Sequence, residues 1–445
     1  MHLKYFGTDG IRGPYGGPLI NETFAWRLGY AAACWHSARE ASPGRVALIG
    51  RDTRTSGISL ERALAAGLAA GGLSPVSMGV VPTPVVSHGV RHERAALGVV
   101  ITASHNPAPD NGIKFFNAEG MKLTDPDEAE IEARLPAAAG APDCNLGAHD
   151  ILPDYRKVVG RILAPHSLRG WKITLDTANG ATCATSPVVL RTLGAEVACL
   201  GDAPDGTNIN AGVGSEYPGP LGELVRAHGA RLGIAHDGDG DRCILCDEQG
   251  CVLDGDDILA ILALHALEQG RLSQRVLVVT EQSNRGVDAA VRSAGGRVLR
   301  TPVGDRQVLA RMLAEGATLG GESSGHIICA EVAPTGDGLV AALKVISVMQ
   351  ESGRPLSQLR AALIKFPQMT ATLSVQEKRP LEQLAMLQDE IKAIEHELGS
   401  SGRVRVRYSG TEPKLRLLVE AQSEELVANS LERLRRAALA EGITG

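Results

Sequence analysis

Aromatic side chains are scarce in this sequence: phenylalanine, tryptophan and tyrosine make up 3% of its 445 residues. The hydrophobic fraction of 44% is nevertheless ordinary for a globular protein, so the cores must consist mainly of alanine, valine, leucine and isoleucine. A chain of this length is too long for a single hydrophobic core, and we expect several domains.

Long apolar runs and basic runs are also missing. No stretch approaches the ~18 consecutive apolar residues that a membrane-spanning helix needs, and the first residues, MHLKYFGTDGIRG, contain no apolar signal segment. The net charge is −6 and no segment concentrates lysine or arginine, which argues against a nucleic acid partner. The sequence therefore predicts a soluble, cytoplasmic protein with no membrane partner, in which positive charge for an anionic ligand is concentrated locally.

The eight cysteines form no recognisable framework. Cys243 and Cys246 are spaced as C-x2-C, but no second cysteine or histidine pair follows at a spacing typical of zinc sites. The surrounding segment, RCILCDEQGCVL, is typical of a β-hairpin with its turn at DEQG, which places the two sulfur atoms on opposite faces. We interpret these cysteines as structural.

Glycine, by contrast, is abundant, with 52 residues, and the sequence contains an internal repeat. Three times, a β-branched apolar run leads through a polar turn and a helical segment to glycine and a second apolar run. Strand, helix and strand at this spacing predict βαβ units with parallel strands. The three copies begin at RVALIGRDTRTSG (45–57), WKITLDTANGA (171–181) and RVLVVTEQSN (275–284).

Each βαβ unit is followed by a further short apolar run that ends in a polar loop. These segments are ALGVVITASHNP (96–107), RLGIAHDGDGDR (231–242) and ATLGGESSGHII (317–328). In open α/β sheets, ligands bind beyond the carboxyl ends of the strands. We therefore expect three equivalent strands to deliver three different polar loops to one shared cleft.

The C-terminal part differs from the repeats. After residue 366, a charged helical pattern over 377–398 precedes a strand–loop–strand pattern over 403–421, which predicts a smaller α+β domain. The predicted fold class is α/β with four domains, of which three are repeats with mixed or parallel sheets. Their expected bounds are 1–150, 151–250, 251–365 and 366–445.

The loop HDGDGDR (236–242) carries three alternating carboxylates, Asp237, Asp239 and Asp241. In a straight strand their Cα atoms would lie about 6.6 Å apart, but the intervening glycines allow the chain to curl. Three carboxylate oxygens leave open positions for Mg²⁺ shared with a phosphate. An EF-hand would need glycine at the sixth position and flanking helices, and a solvated acidic turn would leave three mutually repelling carboxylates unexplained.

Ser104 lies in a second loop, TASHNP. A hydrolase elbow would read G-x-S-x-G, and the neighbouring His105 is not expected to turn its ring onto the serine as a base. No Walker motif is present either. A serine on a strand-end loop facing a Mg²⁺ site favours phosphoryl transfer through a phosphoserine, and a turn serine bonded to its own backbone is the alternative.

Basic residues on glycine-flanked loops are candidates for holding a substrate's negative charge and moving protons. They are Arg12, Arg51, Lys114, Arg242, Arg306 and His326. In the C-terminal domain, RYSGTEPKLR (407–416) places hydroxyl groups, a glycine and two arginines around one turn, which suits a phosphate dianion.

Together, FGTDGIRG, TASHNP with NGIK, DGDGDR, GESSGH and RYSGTEP resemble the motifs of the α-D-phosphohexomutase superfamily, in its order and along essentially the whole chain. Within it, GTDGIRG, TGDGL (335–339) and SGTEP are most similar to enzymes that interconvert glucosamine 6-phosphate and glucosamine 1-phosphate, a step towards UDP-N-acetylglucosamine. The resemblance implies four domains around a central cleft, a phosphosugar substrate, one Mg²⁺ per subunit and a bisphosphorylated sugar as intermediate and activator. A homodimer is the candidate assembly.

The resemblance also implies roles for single residues. Ser104 would carry the phosphate and act as a metal ligand, and Asp237, Asp239 and Asp241 would hold Mg²⁺. The residues implied in acid–base or charge-stabilising roles are Lys114, Arg12 and His326. Those implied in substrate binding are Arg242; Glu322 and Ser324, at the sugar hydroxyls; and Arg407, Ser409, Gly410, Thr411 and Arg416, at the phosphate that is not reacting.

Three departures from the family pattern bear on the substrate. Ser323 stands where aminosugar relatives more often have Gln or Asn, GSEYPG (214–219) replaces a segment that often contains a histidine, and Tyr408 stands where Pro or Lys is common. A phosphomannomutase or phosphoglucomutase of the same fold is therefore an alternative. The alternative from a different class is a non-catalytic metal- or sugar-phosphate-binding protein, in which Ser104 would be idle.

Overall fold

The computed structural model describes residues 3–7, 9–39, 44–141, 143–399, 402–409 and 413–443. The chain divides into two compact units. The first comprises the residues up to 282 together with 294–362 and contains three sheets. The second comprises residues 283–293 and those from 363 onwards, and contains one sheet.

The first sheet of unit one has six strands. They are β1 (Ile11–Pro14), β2 (Val46–Arg51), β3 (Ser74–Val80), β4 (Leu97–Ile101), β5 (Asp110–Phe116) and β6 (Gly147–Ala148). Along the chain they alternate with helices α1 (Glu22–Ser37), α2 (Gly57–Ala70), α3 (Thr83–Glu93), α4 (Asp125–Ala133) and α5 (Leu152–Gly160). The order is β1-β5-β4-β2-β3-β6, with β5 antiparallel to both of its neighbours and the other pairs parallel.

The second and third sheets have five and four strands. The second contains β7 (Lys172–Asp176), β8 (Glu196–Leu200), β9 (Leu232–Ala235), β10 (Ile244–Asp247) and β11 (Val252–Leu253), with helices α6 (Ser186–Thr192) and α7 (Gly219–His228). The third follows α8 (Gly255–Glu268) and contains β12 (Val276–Thr280), β13 (Arg297–Thr301), β14 (Leu319–Gly321) and β15 (Ile327–Cys329). The helices of this part are α10 (Asp305–Glu315), α11 (Gly338–Ser352) and α12 (Leu356–Arg360), whereas α9 (Arg285–Ser293), which lies between β12 and β13 in the chain, belongs to the second unit.

The predicted threefold repeat is confirmed by the strand order. Each of the three sheets contains three parallel strands whose central member comes first in the chain: β3-β2-β4, β8-β7-β9 and β13-β12-β14. In each, the third parallel strand is followed by a loop and an antiparallel return strand, namely β5, β10 or β15. The three polar loops therefore occupy equivalent positions at carboxyl ends of strands.

The second unit contains an antiparallel three-stranded sheet. Its strands are β16 (Gln368–Ser374), β17 (Gly402–Tyr408) and β18 (Lys414–Ala421), in the order β16-β18-β17, and its C-terminal helices are α13 (Ala385–Leu398) and α14 (Glu424–Ala440). The helix predicted over 377–398 begins only at Ala385, because Pro380 precedes a short 3₁₀ turn. The predicted fold class, three repeated α/β domains and a smaller α+β domain, is confirmed.

Small and aliphatic residues form the cores, as the composition predicts. Helices α1 and α2 approach closely at two glycines: a Cβ on Gly29 would lie 2.3 Å from the carbonyl oxygen of Leu64, and one on Gly67 only 2.0 Å from that of Trp26. Cys243 and Cys246 are both buried, and Cys246 lies in the first strand of the predicted hairpin, which β10 and β11 form. Every described helix is too short or too polar to cross a membrane.

Candidate active site

The three equivalent loops of unit one meet. The hydroxyl of Ser104, which follows β4, donates to Asp237 Oδ2 at 2.6 Å in the loop after β9. Arg242 in that second loop pairs with His326 of the third in an isolated antiparallel bridge. The expectation that three strand-end loops converge on one site is therefore confirmed.

The three aspartates of the second loop form a compact, buried cluster. One carboxylate oxygen from each of Asp237, Asp239 and Asp241 lies within 4.8 Å of the others. Gly240 has a φ of +73°, which lets the chain curl, while a Cβ on Gly238 would lie 2.7 Å from the carbonyl oxygen of Ser104. Strands β9 and β10 flank the loop, so the EF-hand alternative is wrong.

The donor set of this cluster fits a hard divalent cation. Oδ1 of Asp239 and Oδ1 of Asp241 are buried, and neither has a hydrogen-bond partner within the described residues. Burial and the two neighbouring carboxylates raise the pKa of Asp237 well above its usual range. Buried oxygens that repel one another and accept no hydrogen bond are the environment that a cation with oxygen ligands relieves.

Lys114 is buried beside the cluster. It extends from β5, and its Nζ lies 3.0 Å from Asp239 Oδ2, 3.7 Å from Asp241 Oδ2 and 2.9 Å from Asp9 Oδ2. Burial alone would lower the pKa of Lys114, but the carboxylates of Asp239 and Asp9 outweigh burial and raise it. The side chain is therefore an ammonium ion held against the metal-binding carboxylates.

Arg12 lies at the same site, on β1. It forms an ion pair with Asp9, within the GTDGIRG motif. Gly10 makes this arrangement possible, because its φ is +75° and a Cβ there would lie 2.5 Å from the carbonyl oxygen of Ile113. The structure thus brings Arg12 and Lys114 together through one shared carboxylate.

His326 closes the site from the third loop. Its Nδ1 lies 3.6 Å from Asp241 Oδ2 and its Nε2 lies 3.5 Å from Asp305 Oδ2. Burial lowers the pKa of His326, but the two carboxylates outweigh burial and raise the pKa to about 9. The TGDGL loop packs on this ring, since a Cβ on Gly336 would lie 2.4 Å from two of the ring atoms.

Three residues of the site escaped the sequence analysis: Asp9, Lys122 and Asp305. Lys122 Nζ lies 2.5 Å from Asp9 Oδ1 and also forms an ion pair with Asp305. Asp9 lies inside the GTDGIRG motif beside the candidate Arg12, and Asp305 directly precedes the candidate Arg306. No spacing in the sequence singles out Lys122, because its partners come from segments more than a hundred residues apart.

His105 lies closer to the serine than the sequence analysis expected. That expectation is wrong, because His105 Nδ1 lies 3.3 Å from Ser104 Oγ. Ser104 has a φ of +52°, and this sharp turn brings the next side chain alongside the hydroxyl. The hydroxyl nevertheless makes its shorter hydrogen bond to Asp237, so the alternative of a turn serine bonded only to its own backbone is also wrong.

The predicted sugar-binding residues line the same loops. Glu322 Oε1 accepts from the backbone N–H of Gly304 at 3.1 Å, and Ser324 Oγ is buried with no hydrogen-bond partner in the part of the chain described here. Arg242 Nη1 lies 3.0 Å from Oε1 of Glu216, which belongs to GSEYPG (214–219), the segment that departs from the family pattern.

Two of the basic candidates have local structural partners. Arg51 Nε lies 3.0 Å from Glu61 Oε2, on the neighbouring helix α2. Arg306 Nη1 lies 2.7 Å from Glu128 Oε2, and its Nη2 donates to the carbonyl oxygen of Gly7 at 2.9 Å. Arg306 therefore holds the start of the GTDGIRG segment in place.

The predicted phosphate loop lies in unit two. Arg407 and Arg416 are direct partners across β17 and β18, and both are exposed. The N–H of Ser409 donates to the carbonyl oxygen of Lys414 at 2.8 Å. Gly410 and Thr411, the other residues predicted here, lie outside the described residues.

Nearly the whole chain is similar to known proteins of one family. Models of the phosphoglucomutase/phosphomannomutase family match four consecutive stretches: α/β/α domain I at residues 3–140, domain II at 155–250, domain III at 254–366 and the C-terminal domain at 372–437. Phosphoglucosamine mutase from Desulforudis audaxviator is 46% identical over 438 residues, 97% of each chain. The enzyme of that name from Symbiobacterium thermophilum is 45% identical over 446 residues, covering 97% of this chain and 99% of its own.

This chain belongs to the phosphoglucosamine mutase family. The superfamily and the enzyme class predicted from the sequence, an isomerase of the phosphohexomutase type, are thereby confirmed. Membership in the phosphoglucosamine mutase family implies a metal cofactor and a phosphosugar substrate, and the buried aspartates are the candidate metal ligands.

Solved structures of other phosphohexomutases share the fold of this family member. A putative phosphomannomutase from Thermus thermophilus is 26% identical, with a TM-score of 0.80 and 98% of each chain covered. A phosphoglucomutase/phosphomannomutase family protein from Burkholderia thailandensis has a TM-score of 0.81 at 24% identity, covering 98% of this chain and 97% of its own. N-acetylphosphoglucosamine mutase from Aspergillus fumigatus, solved with GlcNAc-6P and magnesium, shares the fold at 16% identity and a TM-score of 0.63, with 99% of this chain and 96% of its own covered.

Proposed function

We propose that this chain interconverts glucosamine 6-phosphate and glucosamine 1-phosphate through a phosphoserine at Ser104. The observation that carries the proposal is the 2.6 Å contact between the Ser104 hydroxyl and a buried cluster of three aspartates suited to a cation. A serine in this position can carry a phosphate whose negative charge the neighbouring cation offsets. The relatives named phosphoglucosamine mutase, more than 40% identical over nearly the whole chain, support the choice of sugar.

Asp237, Asp239 and Asp241 would hold one Mg²⁺ ion together with the phosphate on Ser104. When bound, this ion supplies neutralisation of the charge that spreads over the transferring phosphoryl group. Gly238 lets the backbone of the metal loop approach the carbonyl of Ser104, which brings the serine close to the metal ligands.

The reaction then consists of two phosphoryl transfers. In the first, the free hydroxyl oxygen of the sugar phosphate attacks phosphorus, the bond from phosphorus to Ser104 Oγ breaks, and the sugar becomes a bisphosphate. The bisphosphate turns over in the site. In the second, Ser104 Oγ attacks the other phosphate and the opposite monophosphate leaves, so the phosphoserine is regenerated and the atoms balance.

The basic residues of the network serve both transfers. Lys114 and His326 both lie against the metal-binding carboxylates, which raise their pKa values and keep them protonated. We therefore assign to them the donation of a proton to the leaving oxygen and, once deprotonated, the acceptance of the proton of the hydroxyl that attacks in the return transfer. Arg12 contributes a permanent positive charge close to Lys114. Arg12 and Lys114 would approach the reacting phosphate from strands β1 and β5, and His326 from the third loop.

The remaining predicted residues would recognise the substrate. Glu322 and Ser324 would contact the sugar hydroxyls, and Arg242 would contact a phosphate beside the metal loop. The residues that would anchor the phosphate that is not reacting are Arg407, Ser409, Gly410, Thr411 and Arg416. Because the two poses of the bisphosphate exchange its ends, the anchor must bind phosphate and not a particular ring carbon.

The proposal includes a bisphosphorylated sugar as the activator that first phosphorylates Ser104, and it places the reaction in the cytoplasm on the way to UDP-N-acetylglucosamine. A homodimer stays a prediction of the sequence. The domain bounds 1–150, 151–250, 251–365 and 366–445 are proposed as the working division of the chain.

The test compares turnover of glucosamine 6-phosphate, glucose 6-phosphate and mannose 6-phosphate, each with Mg²⁺ and the matching bisphosphate. We expect glucosamine 6-phosphate to give the highest kcat/KM, and Ser104→Ala to abolish turnover while the circular dichroism spectrum is unchanged. Preference for mannose or glucose 6-phosphate would replace the sugar in this proposal, and full activity of Ser104→Ala would exclude the phosphoserine. Intact mass before and after incubation with the bisphosphate measures phosphorylation of Ser104 directly.

A further inference from the structure

Ser104 has a backbone conformation that most residues avoid. Its φ of +52° lies in the left-handed region, where a residue other than glycine persists only if its surroundings hold it there. The N–H of Ser104 donates to Thr102 Oγ1 at 2.9 Å. Its carbonyl oxygen accepts from Arg54 Nη2 at 3.1 Å and from Asn210 Nδ2 at 2.8 Å. The strained residue is therefore held on both sides of its Cα.

Arg54 supplies most of this hold. Its side chain is completely buried, and the guanidinium nitrogens donate to four carbonyl oxygens of the serine loop, those of Ser104, Asn106, Pro107 and Asp110. The remaining donor, Nε, lies 2.9 Å from Asp52 Oδ2. A guanidinium has five N–H donors in a fixed plane. The four carbonyl oxygens and the Asp52 carboxylate therefore give every donor of Arg54 a partner.

Asp52 links this arginine back to the serine. The same Oδ2 accepts from the hydroxyl of Thr102 at 2.6 Å, and Thr102 Oγ1 in turn accepts from the N–H of Ser104. Arg54, Asp52 and Thr102 thus form a closed circuit of hydrogen bonds around the backbone of one residue. Both charged members are fully buried and neutralise each other, so the circuit is a fixed part of the interior.

We propose that Arg54 is a positioning residue for phosphoryl transfer at Ser104. It holds residues 104–110 so that the serine keeps its left-handed conformation and directs Oγ towards the aspartate cluster. This inference rests on the proposed function, since it concerns the same serine, but Arg54 contacts the backbone and takes no part in the bonds that form and break. Lysine cannot replace it, because a single ammonium cannot reach four carbonyls and a carboxylate together.

The first test compares Arg54→Lys with Arg51→Lys in the full-length protein. Arg51 lies three residues earlier and pairs with Glu61, and it donates to no carbonyl of the serine loop. We expect kcat of Arg54→Lys to fall about a hundredfold with KM unchanged, because a small displacement of the nucleophile costs about that much. Arg51→Lys should keep the kcat of the unaltered protein. Equal kcat values for the two variants would overturn the proposal.

The second test uses Thr102, for which a conservative replacement exists. Thr102→Ser keeps the bridging hydroxyl, whereas Thr102→Val keeps the shape and loses the bridge. We expect the serine variant to retain kcat and the valine variant to lose it. Asn210→Ala, which removes one of the two donors to the Ser104 carbonyl, should lower kcat less than Arg54→Lys and serves if the arginine variant fails to fold.

A readout independent of turnover separates this inference from the proposed function. Amide hydrogen exchange over residues 102–112 should quicken in Arg54→Lys and Thr102→Val, and stay unchanged in Arg51→Lys and Thr102→Ser. If the unaltered protein turned over no hexose phosphate, the proposed function would fail. The exchange data would still test whether the hydrogen-bond circuit of Arg54, Asp52 and Thr102 holds the serine loop. Faster exchange with an undiminished kcat would show that this circuit supports only the fold, and it would overturn the positioning role of Arg54.

Discussion

Around Ser104, buried and partly buried side chains of opposite charge alternate. The neighbours run in the order Asp239, Lys114, Asp9, Lys122, Asp305, His326 and Asp241. Because an uncompensated buried charge is costly, each member depends on the next. Among the carboxylate oxygens of this network, only Oδ1 of Asp239 and Oδ1 of Asp241 have no hydrogen-bond partner within the described residues, and they mark the place of a cation.

The first prediction concerns Asp239→Asn. We expect Mg²⁺ to raise the thermal midpoint of the unaltered protein, since an ion that binds only the folded state stabilises it by about 2.7 kcal/mol at a hundredfold excess over its Kd. Asp239→Asn should lose this response, while Asp389→Asn, which changes an exposed carboxylate on α13, should keep it. A Mg²⁺ shift that survives in Asp239→Asn would contradict the assignment of the metal ligands.

Most of the reacting residues were recognisable in the sequence, but the residues of opposite charge that pair with them were not. Ser104, the three aspartates and Lys114 lie in motifs whose residue types already indicate phosphate chemistry. Lys122 is an ordinary lysine until folding brings Asp9 and Asp305 to its ammonium group. The approach of His105 to Ser104 depends on one backbone dihedral angle, which the residue types do not indicate.

At the scale of elements, α1 and α2 pack backbone to backbone. Glycine in a helix usually costs about 1 kcal/mol relative to alanine, so Gly67→Ala would stabilise an isolated α2. Here the added Cβ would lie 2.0 Å from the Trp26 carbonyl oxygen, and we expect the free energy of unfolding to fall by about 1–3 kcal/mol instead. Urea denaturation measures this change.

Gly160→Ala is the matched control for that prediction. Gly160 is the last residue of α5, and a Cβ there would meet no atom within 4 Å. Its replacement should leave the free energy of unfolding unchanged or raise it slightly. If the two variants behaved alike, the close approach of α1 and α2 would not be what requires Gly67.

A third prediction concerns the loop that follows β7. Asp176 accepts from the N–H of Ala178 at 2.9 Å and from that of Gly214 at 2.7 Å, and burial raises its pKa to about 6. The folded state therefore binds this proton more tightly than the unfolded state, so the contribution to stability is complete below pH ~4 and is lost as the pH rises through about 6. Relative to Asp176→Asn, the unaltered protein should lose about 2 kcal/mol between pH 4 and pH 7.

Urea denaturation of both proteins at the two pH values measures this difference. A pH-independent difference would mean that Asp176 is ionised in the folded protein throughout this range.

The sequence predicted the elements better than their ends. Three βαβ units were visible because β-branched runs alternate with helical patterns at regular spacing, and the structure has parallel strands in each. The helix expected from residue 377 begins at Ala385, since Pro380 cannot continue a helix and the residues before α13 form a 3₁₀ turn. Strand β16 was missed, because only its pairing with β18 distinguishes a short exposed segment from a loop.

At the scale of the whole molecule, Lys122 connects the first sheet to the third. Its side chain is 9% exposed and forms ion pairs with Asp9, which precedes β1, and with Asp305, the first residue of α10. Removing one partner of a buried ion pair typically costs 3–5 kcal/mol, so we expect Lys122→Met to lower the free energy of unfolding by about that amount. Urea denaturation of the full chain is the measurement.

Two further variants show whether the fall in the free energy of unfolding comes from the lost charge of Lys122. Lys172→Met, which changes an exposed lysine at the start of β7, should have little effect. The double variant Lys122→Met/Asp305→Asn should regain part of the stability, because one of the stranded carboxylates is then neutral. A double variant as unstable as the sum of its single variants would show that the lysine acts through packing and not through charge.

The scarcity of aromatic residues has a consequence for how unfolding can be observed. The three tryptophans are Trp26, which stacks on Tyr30; Trp35, which lies beneath Arg39; and Trp171, which lies beneath Arg231. All three belong to the first unit, so tryptophan fluorescence follows the melting of the three-sheet unit and carries no signal from the C-terminal one. Circular dichroism records both units. A fluorescence transition and a dichroism transition that do not coincide would therefore resolve two unfolding steps without any label.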